Sequence, residues 1–219
     1  MLRRKLLRDM WRSKLQFVSM MLLCALGTWV FTGLDAAWRM LDRTIETYYE
    51  EQNLADFWVQ LPGADREALR RLERLPGVTR VQMRGNVEMD TDLPSEATLQ
   101  VLGYDGEAAI NTPLLREGEM LAEQDGRGLL LEEQFARANG IEVGDTLRLR
   151  LDGFEQTFTV RGLALSPEYL ITTKDVSPDP LHYGFAVANM DALSPLPASE
   201  LLVDLAPDAD ADAVRARIE

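Results

Sequence analysis

Apolar positions are distributed unevenly along this chain. From Leu15 to Leu34, twenty consecutive residues carry no formal charge. At about 1.5 Å per residue, such a helix matches the roughly 30 Å hydrocarbon core of a bilayer. Backbone groups inside lipid must bond to one another, so the run predicts a single spanning helix. Beyond it the pattern narrows to a stripe. Leu34, Trp38, Leu41, Ile45 and Tyr48 recur at spacings of 4, 3, 4 and 3, with Asp42, Arg43, Glu46, Glu50 and Glu51 mostly off that line. A repeat of 3.5 residues is the seam of a helix resting on a partner helix. No Gly or Pro interrupts Asp35 to Leu54, which predicts that the spanning helix continues outward as a stalk of about 25–30 Å. The same stripe also suits an amphipathic helix lying on its own domain.

From residue 55 onward, short alternating runs replace the long ones. Ala55–Leu61 predicts a strand stopped by Pro62-Gly63. Asp65–Leu75 predicts a helix with Leu69, Leu72 and Leu75 on its apolar side, ended by Pro76-Gly77. Val78–Met89 and Ala97–Tyr104 follow as strands, then Gly128–Leu131 as a short strand and Glu132–Asn139 as a helix stopped at Gly140. Thr146–Leu151 and Phe154–Leu165 flank Asp152-Gly153, a hairpin signal. Tyr183–Asn189 and Glu200–Leu205 predict two further strands, and a helix begins near Asp208.

One short repeat organises these elements. A strand followed by Pro62-Gly63-Ala64-Asp65 and Ala68-Leu69-Arg70 returns 145 residues later as a strand followed by Pro207-Asp208-Ala209-Asp210 and Ala213-Val214-Arg215. Two strand–helix units of this kind predict a split βαβ, ferredoxin-like sheet. The fold class is therefore α+β: a transmembrane helix and stalk, then a split ferredoxin-like domain carrying an inserted β-rich subdomain. The expected divisions are a basic amphipathic segment at 1–14, the membrane helix at 15–38 and the stalk at 39–54. The outer core is expected at 55–110 and 171–219, with the insertion at 111–170. The second unit stops where its last strand would begin, so the chain is expected to be the N-terminal piece of a longer polypeptide.

Charge sets the expected orientation. Residues 1–14 hold six basic side chains against Asp9, a net +5, while the whole chain carries −13. Positive residues stay on the cytoplasmic side, which leaves the acidic bulk extracytoplasmic. Trp11 and Trp38, about 40 Å apart along a helix, suit the two interfaces. A cleaved signal would have a shorter apolar region, and Leu34-Asp35-Ala36-Ala37 is a poor cleavage site. Cys24, the single cysteine, lies within the span, so no internal disulfide framework exists and the outer domain relies on its core.

Catalytic chemistry finds little here. The lone histidine, His182, lies between Pro180 and Tyr183 and reads as a loop residue; no HExxH, GxSxG or P-loop pattern is present. Asp208, Asp210, Asp212 and Glu219 copy the carboxylate spacing of a calcium loop, but Ala213 stands where the sharp turn needs Gly. Acidic residues at a helix start are favourable against its dipole, which accounts for the cluster without metal. An acidic outer domain also repels nucleic acid. No enzyme activity, cofactor or metal is expected.

Several segments together resemble a known family. They are the basic start and first span, the stalk entering Asn53-Leu54-Ala55-Asp56-Phe57-Trp58-Val59, and Leu129 to Leu149. Leu165-Ser166-Pro167-Glu168-Tyr169-Leu170 and Pro178-Asp179-Pro180 followed by Gly184-Phe185 complete the set. In order and spacing they resemble the FtsX-like permeases of ABC transporters, with an extracytoplasmic core domain of the MacB type. The resemblance implies a cytoplasmic ABC ATPase partner, further permease helices or a second permease copy, and motion passed along the stalk. It also implies an outer domain that handles lipoproteins, peptides or drugs, or signals to the cell envelope. The later membrane helices of such permeases are not in this sequence, and the loop that docks the ATPase is expected among them. The competing reading is a single-span, membrane-anchored binding or sensor protein whose acidic domain captures an external ligand.

Overall fold

A computed structural model describes residues 14–63, 66–123, 125–169 and 177–218. The basic segment before Lys14, with Trp11, therefore lies outside the described residues, as do Leu170, Ile171 and Glu219. The chain divides into two compact units, 1–48 and 49–219.

The first unit consists of most of one long helix, α1 (Lys14–Glu51), 38 residues without a break. It is long and apolar enough to cross a membrane. Threonine hydroxyls in the apolar run bond within the helix: Thr28 Oγ1 donates to the Cys24 carbonyl at 2.9 Å and Thr32 Oγ1 to the Thr28 carbonyl at 2.7 Å. This back-bonding hides polar atoms where lipid offers no partner. Past the apolar run, Arg39 pairs with Asp35 one turn earlier at 3.0 Å.

In the second unit the elements are β1 (Phe57–Gln60), α2 (Arg66–Glu73), β2 (Val78–Thr91), β3 (Thr98–Tyr104) and β4 (Leu114–Gly118). Next come β5 (Gly128–Glu132), α3 (Glu133–Asn139), β6 (Thr146–Leu151), β7 (Phe154–Leu165) and β8 (Tyr183–Asn189). A 3-10 turn (Met190–Leu193), β9 (Glu200–Leu205) and α4 (Ala211–Ile218) finish the chain. Local chemistry sets several of these ends. Gly140 takes the left-handed conformation (φ 67°) and stops α3, with Ile141 N–H bonding the Ala136 carbonyl at 2.9 Å. Gly153 (φ 76°) turns the two-residue loop between β6 and β7, where Leu151 faces Phe154. The final helix begins three residues later than its acidic cluster suggests, because Asp210 caps it: Asp210 Oδ1 accepts the Ala213 N–H at 3.1 Å.

The predicted split βαβ arrangement is present. β9 lies between β1 and β2 and runs antiparallel to both. Helices α2 and α4 share one apolar cluster with this part of the sheet, built on Phe57, Leu72, Val81, Leu201, Val203 and Val214. The two copies of the repeat thus stand on neighbouring strands.

The remaining strands do more than extend that sheet. β2 pairs with β3, β3 with β8, β8 with β5, β5 with β7, β7 with β6, and β6 again with β2. These pairings close a ring of six strands, with β4 added on β7. Closure removes the free edges that an open sheet would leave. The flanking strands β2, β3 and β8 form one arc of the ring, and β5, β7 and β6 from 111–170 form the other. One set of alternate side chains, including Leu99, Val101, Leu129, Leu131, Leu147, Leu149, Phe158 and Val160, forms the largest apolar cluster. The opposite faces of β3, β5 and β8 contribute Leu102, Leu130, Phe185 and Val187 to a second cluster, which includes Ala55 just past α1. β2 belongs to both halves: residues 78–84 pair with β9 and residues 84–90 with β3. Arg84 is where it changes partners.

Candidate functional site

The end of α1 is built as a double-bonded helix stop. Asn53 takes the left-handed conformation at φ 49°, its N–H reaching the Glu50 carbonyl at 3.2 Å, while Leu54 N–H reaches the Tyr49 carbonyl at 3.0 Å. Asparagine tolerates this backbone region because its short side chain can bond locally. The next carbonyls are taken by the domain. Asn111 N–H donates to the Asn53 carbonyl and Thr112 N–H to the Gln52 carbonyl, both at 2.8 Å. Asn111 Oδ1 in turn accepts the Ala55 N–H at 2.6 Å. Asn111 is fully buried and itself left-handed at φ 53°.

From Asn111 the polar chain continues inward. Its carbonyl accepts the Tyr104 hydroxyl at 3.2 Å, and that hydroxyl accepts a bond from Arg84 Nη1 at 3.2 Å. Arg84 faces Tyr104 across β3 and Glu200 across β9. Its side chain has no exposed surface. A buried guanidinium is tolerated only if its donors are satisfied. Here Nε donates to Glu200 Oε2 at 3.0 Å, Nη2 to Glu200 Oε2 and to Glu168 Oε2 (2.9 Å), and Nη1 to Glu168 Oε1 and Tyr104. Glu168 Oε2 also accepts the Trp58 indole N–H at 3.1 Å, and Trp58 is 42% exposed. The Glu168 N–H bonds the Ser166 hydroxyl at 3.2 Å.

The electrostatics follow from this enclosure. Burial by itself would lower the Arg84 pKa, but its hydrogen bond to Glu168 and the charges around it hold it above its ordinary value. Burial pushes the Tyr104 hydroxyl up to about 12, against the opposing pull of Arg84. Tyr169, stacked on Phe185 with ring centroids 5.6 Å apart, is also raised, chiefly by burial. With every guanidinium donor already spent, the cluster is a connector between segments and not an acid–base or nucleophilic site.

Sequence reasoning singled out other residues. Leu34, Trp38 and Leu41 are exposed on α1, and Ile45 and Tyr48 are half-buried. His182 lies before β8, with Nδ1 2.9 Å from an Asp179 carboxylate oxygen. Arg84 was missed because Val81, Met83, Val87 and Met89 alternate with Gln82, Arg84, Asn86 and Glu88, which reads as a strand with one wet face. That face is in fact covered. Gln82 pins the loop over it, donating to the Glu107 carbonyl at 2.7 Å and accepting the Ala109 and Ile110 N–H groups at 2.9 and 3.0 Å.

The second unit thus combines a split βαβ sheet with a closed strand ring, and the chain also holds a helix long and apolar enough to cross a membrane. Residues 17–219 match the MacB-like periplasmic core domain, and the chain belongs to that family, a component of ABC transporter permeases. Solved structures similar to it include two transporter domains. One is the extracellular domain of the noncanonic ABC-type transporter YknZ from Gram-positive bacteria, at 13% identity and a TM-score of 0.50, covering 73% of this chain and 86% of that one. The other is the periplasmic region of MacB from Actinobacillus actinomycetemcomitans, at 13% identity and a TM-score of 0.47, covering 73% and 72%. Among curated proteins, none matches the chain.

Proposed function

We propose that this chain is the N-terminal portion of an ABC transporter permease subunit that couples cytoplasmic ATP hydrolysis to movement of its extracytoplasmic domain. Its N-terminus lies in the cytoplasm and its bulk outside the cell membrane. The observation that carries this reading is the continuity of α1, 38 residues from the apolar run to the bonded stop at Asn53. An unbroken helix transmits axial and rotational displacement that a loop would absorb. The seam Leu34, Trp38, Leu41, Ile45 and Tyr48 contacts the remaining permease helices or a second permease copy. A cytoplasmic ABC ATPase acts through segments outside this sequence. The work done is export, lipoprotein, peptide or drug handling, or envelope signalling. Residues 111–170 are the insertion between the two parts of the core, 55–110 and 171–219.

Cysteine cross-linking tests this. In a Cys24→Ser background, which removes the single native thiol, cysteines placed at Leu34, Leu41 and Tyr48 cross-link to neighbouring helices with yields that change when ATP binds. Yields indifferent to ATP would sink the coupling reading. Protease added to intact cells is expected to digest the domain beyond α1, and protection there would reverse the proposed orientation.

A further inference from the structure

Within the second unit, the polar contacts run in one unbroken series from the end of α1 to Glu168 and Trp58. We infer that the segment Ser166–Tyr169 is the part of the domain that responds to the α1 exit, with Asn111, Tyr104 and Arg84 as the positioning residues between them. The inference rests on the coupling reading above for its purpose, and on geometry for its route.

Three features single out this route. First, Asn111 holds the exit with two bonds of its own, its N–H to Asn53 and its Oδ1 from Ala55, so the exit segment and Asn111 shift together. Second, each later link is one atom deep: Asn111 carbonyl, Tyr104 hydroxyl, Arg84 Nη1, Glu168 carboxylate. Buried groups that depend on one another for their only solvation cannot move independently without leaving a partner unsatisfied. Third, of the groups gathered on Arg84, Glu168 is the one on a connecting segment; Arg84, Tyr104 and Glu200 are fixed in strands with regular pairing. A displacement entering at Asn111 therefore emerges on the connection that carries Glu168, Ser166–Tyr169, which no strand pairing fixes. Trp58 marks that end, since its indole N–H bonds Glu168.

Coupling between two sites is reciprocal, so it can be tested from both ends in the full chain in detergent, with no nucleotide present. The chain has four tryptophans, and replacing Trp11, Trp29 and Trp38 by Phe leaves Trp58 as the sole emitter. Asn111→Ser is expected to shift Trp58 emission, and Glu168→Gln is expected to speed exchange of the Ala55 and Asn111 amides by about threefold or more, the scale of one weakened hydrogen bond. Tyr104→Phe, which deletes one hydroxyl, is expected to abolish both distant responses. In that background Glu168→Gln no longer alters Ala55 exchange. Ser95→Ala, which removes the bond to Asn139 on another face, is expected to leave both ends unchanged. The inference is overturned if each substitution stays local, or if Glu168→Gln speeds exchange equally with and without the Tyr104 hydroxyl. It is also overturned if Leu147 and Leu149 amides in the ring speed up in parallel, which would mark general destabilisation. Failure of the ATP-dependent cross-links would instead strike the coupling reading and leave these responses as they are.

Discussion

Arg84 and Glu200 stand opposite each other on β2 and β9, both buried, at the residue where β2 leaves one half of the domain and joins the other. A second carboxylate, Glu168, reaches the same guanidinium from a connecting segment. One cation therefore pairs with two carboxylates, and neither half of the domain supplies all three.

Removing that cation is expected to be far costlier than removing a surface one. Arg84→Met leaves two carboxylates without their cation, a loss of about 3–5 kcal/mol. Arg84→Lys keeps the charge but not the planar fork, and is expected to recover only part of it. Breaking the Arg71–Glu67 pair on α2, where both side chains are more than two-thirds exposed, should leave the urea midpoint essentially unchanged. Equilibrium urea unfolding of the three variants distinguishes these outcomes.

The buried tyrosines give a pH dependence of definite sign. Tyr104 titrates near pH 12 in the folded protein and near its ordinary value of 10 when unfolded, and Tyr169 is raised in the same direction. The unfolded chain thus releases these protons first. Their contribution is complete below pH 10 and falls as the pH rises toward 12, by up to about 1.4 kcal/mol per pH unit for each tyrosine. Stability measured across this window should decline less steeply in Tyr104→Phe. An unchanged slope would mean that the hydroxyl is not the group titrating.

A third expectation concerns close packing at β8. A Cβ on Gly184 would lie 2.7 Å from Phe135, which is completely buried on α3. Gly184→Ala is expected to cost about 1–3 kcal/mol through this overlap. Adding Phe135→Leu should return part of the loss, because two of the three close atoms, Cγ and Cδ2, belong to the ring while the third, Cβ, stays. Thermal melts of the single and double variants measure the rescue, and simple additivity would refute the contact as the cause.

The cap on the last helix separates two readings of its acidic cluster. Asp210→Ala is expected to lower stability by about 1 kcal/mol, the usual worth of an N-cap. Calcium should leave the melting temperature of the unsubstituted protein where it is. A calcium-dependent rise lost on Asp210→Ala would restore the metal reading.

Periodicity located nearly every element of the second unit, because alternation and turn residues act over a few residues at a time. It placed the hairpin at Asp152-Gly153, the helix stop at Gly140 and the repeat that pairs β1 with β9. It passed over β4, whose Leu114-Leu115-Arg116-Glu117-Gly118 has no alternation. That segment is a strand because the edge of β7 receives it, with Gly118 opposite Gly162. A Cβ at Gly118 would come within 2.3 Å of the Arg161 carbonyl, a constraint that exists only once the two strands meet.

What the sequence determined by itself was the apolar span, the strand and helix inventory and the split βαβ plan, all consequences of local patterning and chain length. What only the tertiary structure decided was closure of the six-strand ring and burial of Arg84 with Glu168 and Glu200. Ring closure depends on the short contact between β6 and β2, two strands separated by more than 50 residues. Burial of the arginine depends on groups 84 and 116 residues further along the chain. A polar strand face looks the same in sequence whether water covers it or a distant carboxylate does. Only the folded chain supplies the partner that makes the buried charge tolerable.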